Sequence, residues 1–127
     1  MTTLFEKIVA GEIPSHRVWE SDTHLAFLDI QPRAVGHTLV IPKRATDYIF
    51  DLPADEHAAL WEAVREVAAK LQAALGSKRI LVYVVGWEVP HVHVHLIPSD
   101  SIHDVPFPPP SPQAVAALDQ TAAVLAP

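Results

Sequence analysis

Residues 89–98 read VPHVHVHLIP, with His91, His93 and His95 at every second position and Val92, Val94 and Leu96 between them. A β-strand points successive side chains to opposite faces, so this spacing predicts three imidazoles on one face and three aliphatic groups on the other. Neighbouring imidazoles on that face would start about 6.6 Å apart, close enough to share one ligand. If the aliphatic face supplies the core, the histidine face looks to solvent, a cleft or another subunit.

Outward from this strand the chain repeats the extended pattern. RILVYVV (79–85) precedes it, HTLVIP (37–42) ends at a proline, and RVWE (17–20) and HLAFLDI (24–30) flank the turn formers Ser21 and Asp22 as a hairpin. Between them Leu60, Val64, Val67, Leu71 and Leu75 recur at spacings of three and four, which predicts an amphipathic helix over 53–75. Pro53 suits its first turn, Asp55 and Glu56 its positive end, and Gly76 its C-cap. Residues 4–10 are expected to form a short helix that packs Phe5 and Ile8 on the core, broken by Gly11 and Pro14. The order hairpin, strand, long helix, two strands predicts an α+β fold: an antiparallel five-stranded sheet with one long helix packed on it.

A chain of 127 residues buries one sizeable core, so residues 1–127 are expected to form one domain, with its core at about 4–100. The stretch after it (101–127) contains PFPPPSP, which is expected to be extended, and then QAVAALDQTAAVLA, a candidate last helix. The net charge of −6 and the lack of clustered Lys and Arg argue against nucleic acid as a partner. No apolar run approaches the roughly 18 to 20 residues of a membrane-spanning helix, and MTTLFEKIVAGEIP does not read as a signal peptide. With no cysteine, a cytoplasmic location is expected, and thiolate metal sites are excluded.

The alternating histidines admit three chemistries. They are an exposed strand's chance pattern, a His-x-His metal site, or a catalytic set. The metal reading lacks a cysteine or a carboxylate on the strand, and three ligands in one line require the chain to curl before one ion takes them all. The catalytic reading uses the near-neutral titration of imidazole, with one neutral ring attacking phosphorus while its neighbours hydrogen-bond to the oxyanion or the departing group.

HVHVHLI, together with FEKIVAGEIP, FLDIQP and GHTLVIPK upstream in the same order, resembles the histidine triad superfamily of nucleotide hydrolases and transferases over about residues 4–100. The LIPSD that follows the triad is similar to its phosphoramidase-like, purine-nucleotide-binding branch. The resemblance implies a homodimer that cleaves a nucleoside monophosphate (AMP or GMP) conjugate, with neither metal nor cofactor. It makes His93 the nucleophile, places His95 at the phosphate or departing group, and has His91 and His37 orient their neighbours. We expect His37, on an adjacent strand, to reach His91 and hold its tautomer. Asp29 matches the residue that holds ribose hydroxyls, though an Asp at a strand end also caps a turn. Phe5, Ile8, Phe27 and Ile30 match positions that line the base pocket. A non-catalytic purine-nucleotide-binding scaffold and a histidine-cluster metal binder remain as alternatives.

The sequence departs from the family pattern in the loop before the triad. YVVGWEVPH is shorter than usual, and Trp87 stands where Gln is common, which puts the loop's phosphate contacts in doubt. Gly86 keeps a matching position and would let backbone N–H groups approach a phosphate. Trp87 suits stacking on a base or departing group, or a subunit contact. His16, His24, His57 and His103 are expected to be solvated.

Overall fold

A computed structural model gives the positions of residues 2–127. Helix α1 (Leu4–Val9) is followed by strands β1 (Arg17–Glu20), β2 (His24–Leu28) and β3 (Thr38–Pro42), the long helix α2 (Ala54–Leu75), strands β4 (Arg79–Tyr83) and β5 (Val94–Ser99), and helices α3 (Pro112–Ala116) and α4 (Leu118–Leu125). The strands form one sheet in the order β1-β2-β3-β5-β4, and every neighbouring pair is antiparallel. The α+β expectation, five strands with a long helix against them, is therefore met. Among the described residues no helix is long and apolar enough to cross a membrane.

Two hydrophobic clusters sandwich the sheet. On one face, Ala26, Val40, Val94 and Leu96 meet Leu60, Val64, Val67 and Leu71 of α2, so the helical and strand periodicities point at each other. On the other face, Leu25, Phe27, Leu39 and Ile41 are covered by Phe5 and Ile8 of α1. The pairings Leu25 with Ile41, Ala26 with Val40 and Phe27 with Leu39 keep each set on its own face. Burying an aliphatic side chain such as Leu60 or Val67 completely contributes about 1.5–3 kcal/mol. Helix α1 has a capping box: Thr3 accepts from the Glu6 N–H, and Glu6 accepts from the Thr3 N–H.

The structure differs from the sequence reading in several places. The ladder of β5 begins only at Val94: the N–H of Val92 donates instead to Thr46 O (2.7 Å) and that of His91 to Val89 O (2.7 Å). The triad keeps its alternation, but its first half is bound to loops. Strand β4 stops at Tyr83, short of Val85. The last helix is split at Ala117 into α3 and α4, whose side chains are almost all exposed. His24, expected in solvent, is buried in β2, where its Nδ1 lies 2.8 Å from Thr23 Oγ1. Residues 105–111, by contrast, carry neither helix nor strand, as their prolines require.

Candidate active site

The rings of the triad follow from where each residue leaves the ladder. His91 is fully buried beneath α1, edge-on to Phe5 at 5.6 Å between ring centroids. His91 departs from the expectation that the histidine face looks to solvent, a cleft or another subunit, because Thr3 and Phe5 at the start of α1 cover its ring. Its Nε2 stands 2.7 Å from Pro42 O, a pure acceptor, so Nε2 carries the hydrogen, and Nδ1 accepts from the Thr3 hydroxyl at 2.7 Å. Burial holds His91 below its ordinary value of 6.5, with the Pro42 carbonyl and Glu6 opposing. His91 is thus a neutral strut.

His93 is packed edge-on against Phe5 at 4.9 Å, and its Nδ1 donates to the His91 carbonyl at 2.7 Å. That bond places the hydrogen on Nδ1 and leaves the lone pair on Nε2. His93 lies in the wall between two openings. One is a polar cleft of about 320 Å³ that also holds Asp29, Arg33, His37, Glu88 and His95. The other is a larger, mostly apolar hollow of about 540 Å³ with Phe50, Trp61, Val84 and Trp87.

A relay of hydrogen bonds orients the third histidine. The backbone N–H of Arg33 donates to His37 Nδ1 at 3.0 Å, so the ring hydrogen of His37 sits on Nε2, which donates to His95 Nδ1 at 3.0 Å. His95 therefore carries its own hydrogen on Nε2. His37 was expected to hold His91; instead it reaches the other end of the triad, because Leu39 pairs with His95 and His37, two residues before Leu39 on the same face, lies diagonally across from His95. Burial lowers the affinity of both rings for a second proton. For His95 the neighbouring His93 and His37 act in the same direction, and for His37 the Asp29 carboxylate opposes.

Asp29 meets the turn-capping one of its two sequence readings. One carboxylate oxygen caps the turn by accepting from the Gln31 N–H at 2.8 Å, and the other lies 3.6 Å from His37 Nε2. Asp29, His37 and His95 converge closely enough to suggest a metal cage, with ligand atoms all within 4.8 Å of one another. The hydrogen-bond directions oppose it. A ligating histidine normally donates from its second nitrogen, whereas His37 Nδ1 accepts from a fixed backbone N–H, so a metal on Nε2 would require an imidazolate.

The remaining expected residues divide. Phe5, Ile8 and Phe27 are buried in one cluster between α1 and the sheet, where Phe5 meets Phe27 and the rings of His91 and His93. Ile30, expected to line a base pocket, is 87% exposed. Gly86 (φ 78) adopts a conformation that favours glycine and borders both openings. Trp87 is 89% exposed on the apolar side. Sequence reasoning missed Thr3, the Arg33 backbone and Glu88. Thr3 was legible as the first member of a Thr-x-x-Glu capping box; the other two become neighbours of the triad only on folding.

Known proteins resemble this chain in sequence and fold. The HIT domain family matches residues 10–102. An uncharacterized HIT-like protein of Methanocaldococcus jannaschii is 41% identical over 100 residues, covering 75% of this chain and 77% of its own. The adenosine 5'-monophosphoramidase HNT1 of Saccharomyces cerevisiae is also 41% identical over 100 residues, covering 75% of this chain and 61% of its own. A HIT family protein of Bacillus anthracis superimposes with a TM-score of 0.80 at 31% identity, covering 97% of this chain and 94% of the other. A HIT family hydrolase of Legionella pneumophila gives 0.65 at 37% identity over 76% and 91%. An α+β sheet carrying an oriented histidine triad defines the class, and this chain belongs to the HIT domain family.

Proposed function

We propose that the chain is a nucleotide hydrolase that cleaves an AMP or GMP conjugate through a nucleotidyl intermediate on His93. The observation that carries this reading is the bond from His93 Nδ1 to the His91 carbonyl, which leaves an Nε2 lone pair on a ring bordering a polar cleft. Nε2 bonds to the α-phosphorus, and the electron pair of the scissile bond moves to the departing atom, to which His95 Nε2–H donates a hydrogen bond. That atom takes one proton from water in the cleft. Water then opens the P–Nε2 bond, returning His93 to its starting tautomer and giving back the proton. Asp29 holds the ribose hydroxyls, accepting from both. Support comes from the Saccharomyces cerevisiae relative, an adenosine 5'-monophosphoramidase.

His93→Ala is expected to lower kcat/KM for an adenosine phosphoramidate by about 10³-fold or more. Mass spectrometry of rapidly quenched wild-type protein should find a nucleoside monophosphate on the peptide containing His93. AMP binding by calorimetry with no turnover would replace the enzyme by a nucleotide-binding scaffold. The working form is a cytoplasmic homodimer. Strand β4 ends the sheet, and its exposed Val82 lies along an edge that continues to Val84 and the apolar hollow. Light scattering on the eluted protein should give twice the 13.9 kDa chain mass, and a monomer would end the dimer proposal.

A further inference from the structure

The loop that departs from the family pattern puts an acidic side chain, Glu88, into the lining of the polar cleft, beside His93 and His95. The cleft adjoins a second hollow through Arg33, Tyr83, Ile97 and Pro106, and that hollow carries Asp100 and Asp104. Along the two, the carboxylates Asp29, Glu88, Asp100 and Asp104 face one guanidinium, Arg33. Arg33 lies close enough to His37 to disfavour its protonation, and Glu88 close enough to His95 to favour it, so both charges are felt at the relay. Asp29 is tied to the Gln31 N–H and to His37, which leaves Glu88 as the acidic group beside His95 with no hydrogen bond or ion pair among the described residues.

Resting on the nucleotidyl-transfer reading above, we infer that Glu88 is a specificity determinant: its carboxylate on the cleft rim favours a departing group that carries positive charge and disfavours an anionic one. The physical basis is direct. The nucleotide brings its own negative charge to the triad and its ribose to Asp29, and on this reading the departing group extends along the rest of the acidic lining, past Glu88 toward Asp100 and Asp104. A cleft walled by protein concentrates that field. A second ammonium on the departing amine is attracted by it; a carboxylate or phosphate on the same fragment is repelled. The chemical step is the one already written: P–Nε2 forms, P–N breaks with its electron pair on nitrogen, and the amine leaves after taking one proton from water.

The test compares two adenosine phosphoramidates with the same scissile P–N bond, one made from a diamine and one from aspartate, on wild type, Glu88→Gln and Glu88→Lys. The wild type should prefer the diamine conjugate. Glu88→Gln should lower the ratio of the two kcat/KM values by about three- to ten-fold, and Glu88→Lys by more. Raising the ionic strength should shrink the wild-type preference toward that of Glu88→Gln. Because Glu88 is exposed in a loop, both variants are expected to fold, and circular dichroism verifies it. A ratio within two-fold of wild type in both variants, with both substrates still cleaved, overturns the inference alone. Failure of the wild type to cleave either conjugate overturns the nucleotidyl-transfer reading, and the inference falls with it.

Discussion

At the scale of single residues, the site is specified by which nitrogen of each ring holds a hydrogen. Carbonyl and N–H partners assign this without ambiguity for neutral rings: Nε2 for His91, His37 and His95, and Nδ1 for His93. Nitrogen NMR of labelled protein at neutral pH should therefore show His93 as the lone Nδ1–H tautomer among these four, and an Nε2–H signal for His93 would remove its lone pair from the proposed nucleophilic position. Thr3 serves both fold and site, since its hydroxyl caps α1 and donates to His91 Nδ1. Thr3→Val keeps the shape and loses both bonds, so it should cost about 1–3 kcal/mol in denaturant unfolding, while Thr3→Ser should recover most of it. No loss in the valine variant would mean that the contact with His91 adds nothing. The alternation of histidines was readable from residues alone; the burial of His91 was not, because strand periodicity says which residues share a face and not which segment covers that face.

At the scale of elements, local rules carried far where the determinants are local. Helix α2 begins one residue after Pro53 and ends at Gly76 in the left-handed conformation (φ 71), because a 3.6-residue apolar period and its caps lie within the segment itself. The start of β5 is later than strand periodicity predicts for a non-local reason: Val92 gives its N–H to Thr46, 46 residues upstream, and so leaves the ladder. Gly36 shows the same dependence on distant partners. Its φ of 91° is one that side chains other than glycine rarely adopt, and a Cβ there would press on Leu75 Cδ1 and approach Pro98 Cγ at 3.2 Å. Since Gly36 lies just before His37 in the turn that sets the relay against His95, Gly36→Ala should destabilise the fold by about 1–3 kcal/mol, measured by denaturant titration. A neutral result would show that the turn relaxes freely, and that His37 does not need this backbone geometry to be placed.

At the scale of the whole molecule, the two-sided core has a consequence for acid stability. Burial lowers the proton affinity of His24, His37, His91 and His95, all from the ordinary 6.5, so the folded chain binds fewer protons than the unfolded chain over the interval between the depressed values and 6.5. Stability rises with pH wherever the unfolded state holds more protons. The contribution of these four rings is therefore fully present above about 6.5 and is lost as the pH falls below it. Glu20 and Asp104, whose carboxyls are held down by hydrogen bonds from Lys43 and Ser99 respectively, act in the same direction at lower pH, below 4.5 and 3.8, and both are exposed enough to be screened. Thermal unfolding followed from pH 8 down to pH 5 should give a midpoint that is nearly flat above about 7 and declines below 6.5. Replacing His24, which lies outside the cleft, by Phe should flatten that decline without removing it, because the three rings of the site remain. A midpoint that holds steady or rises on acidification would mean that these four rings take up protons inside the fold, and the neutral relay from His37 to His95 would not hold over that interval.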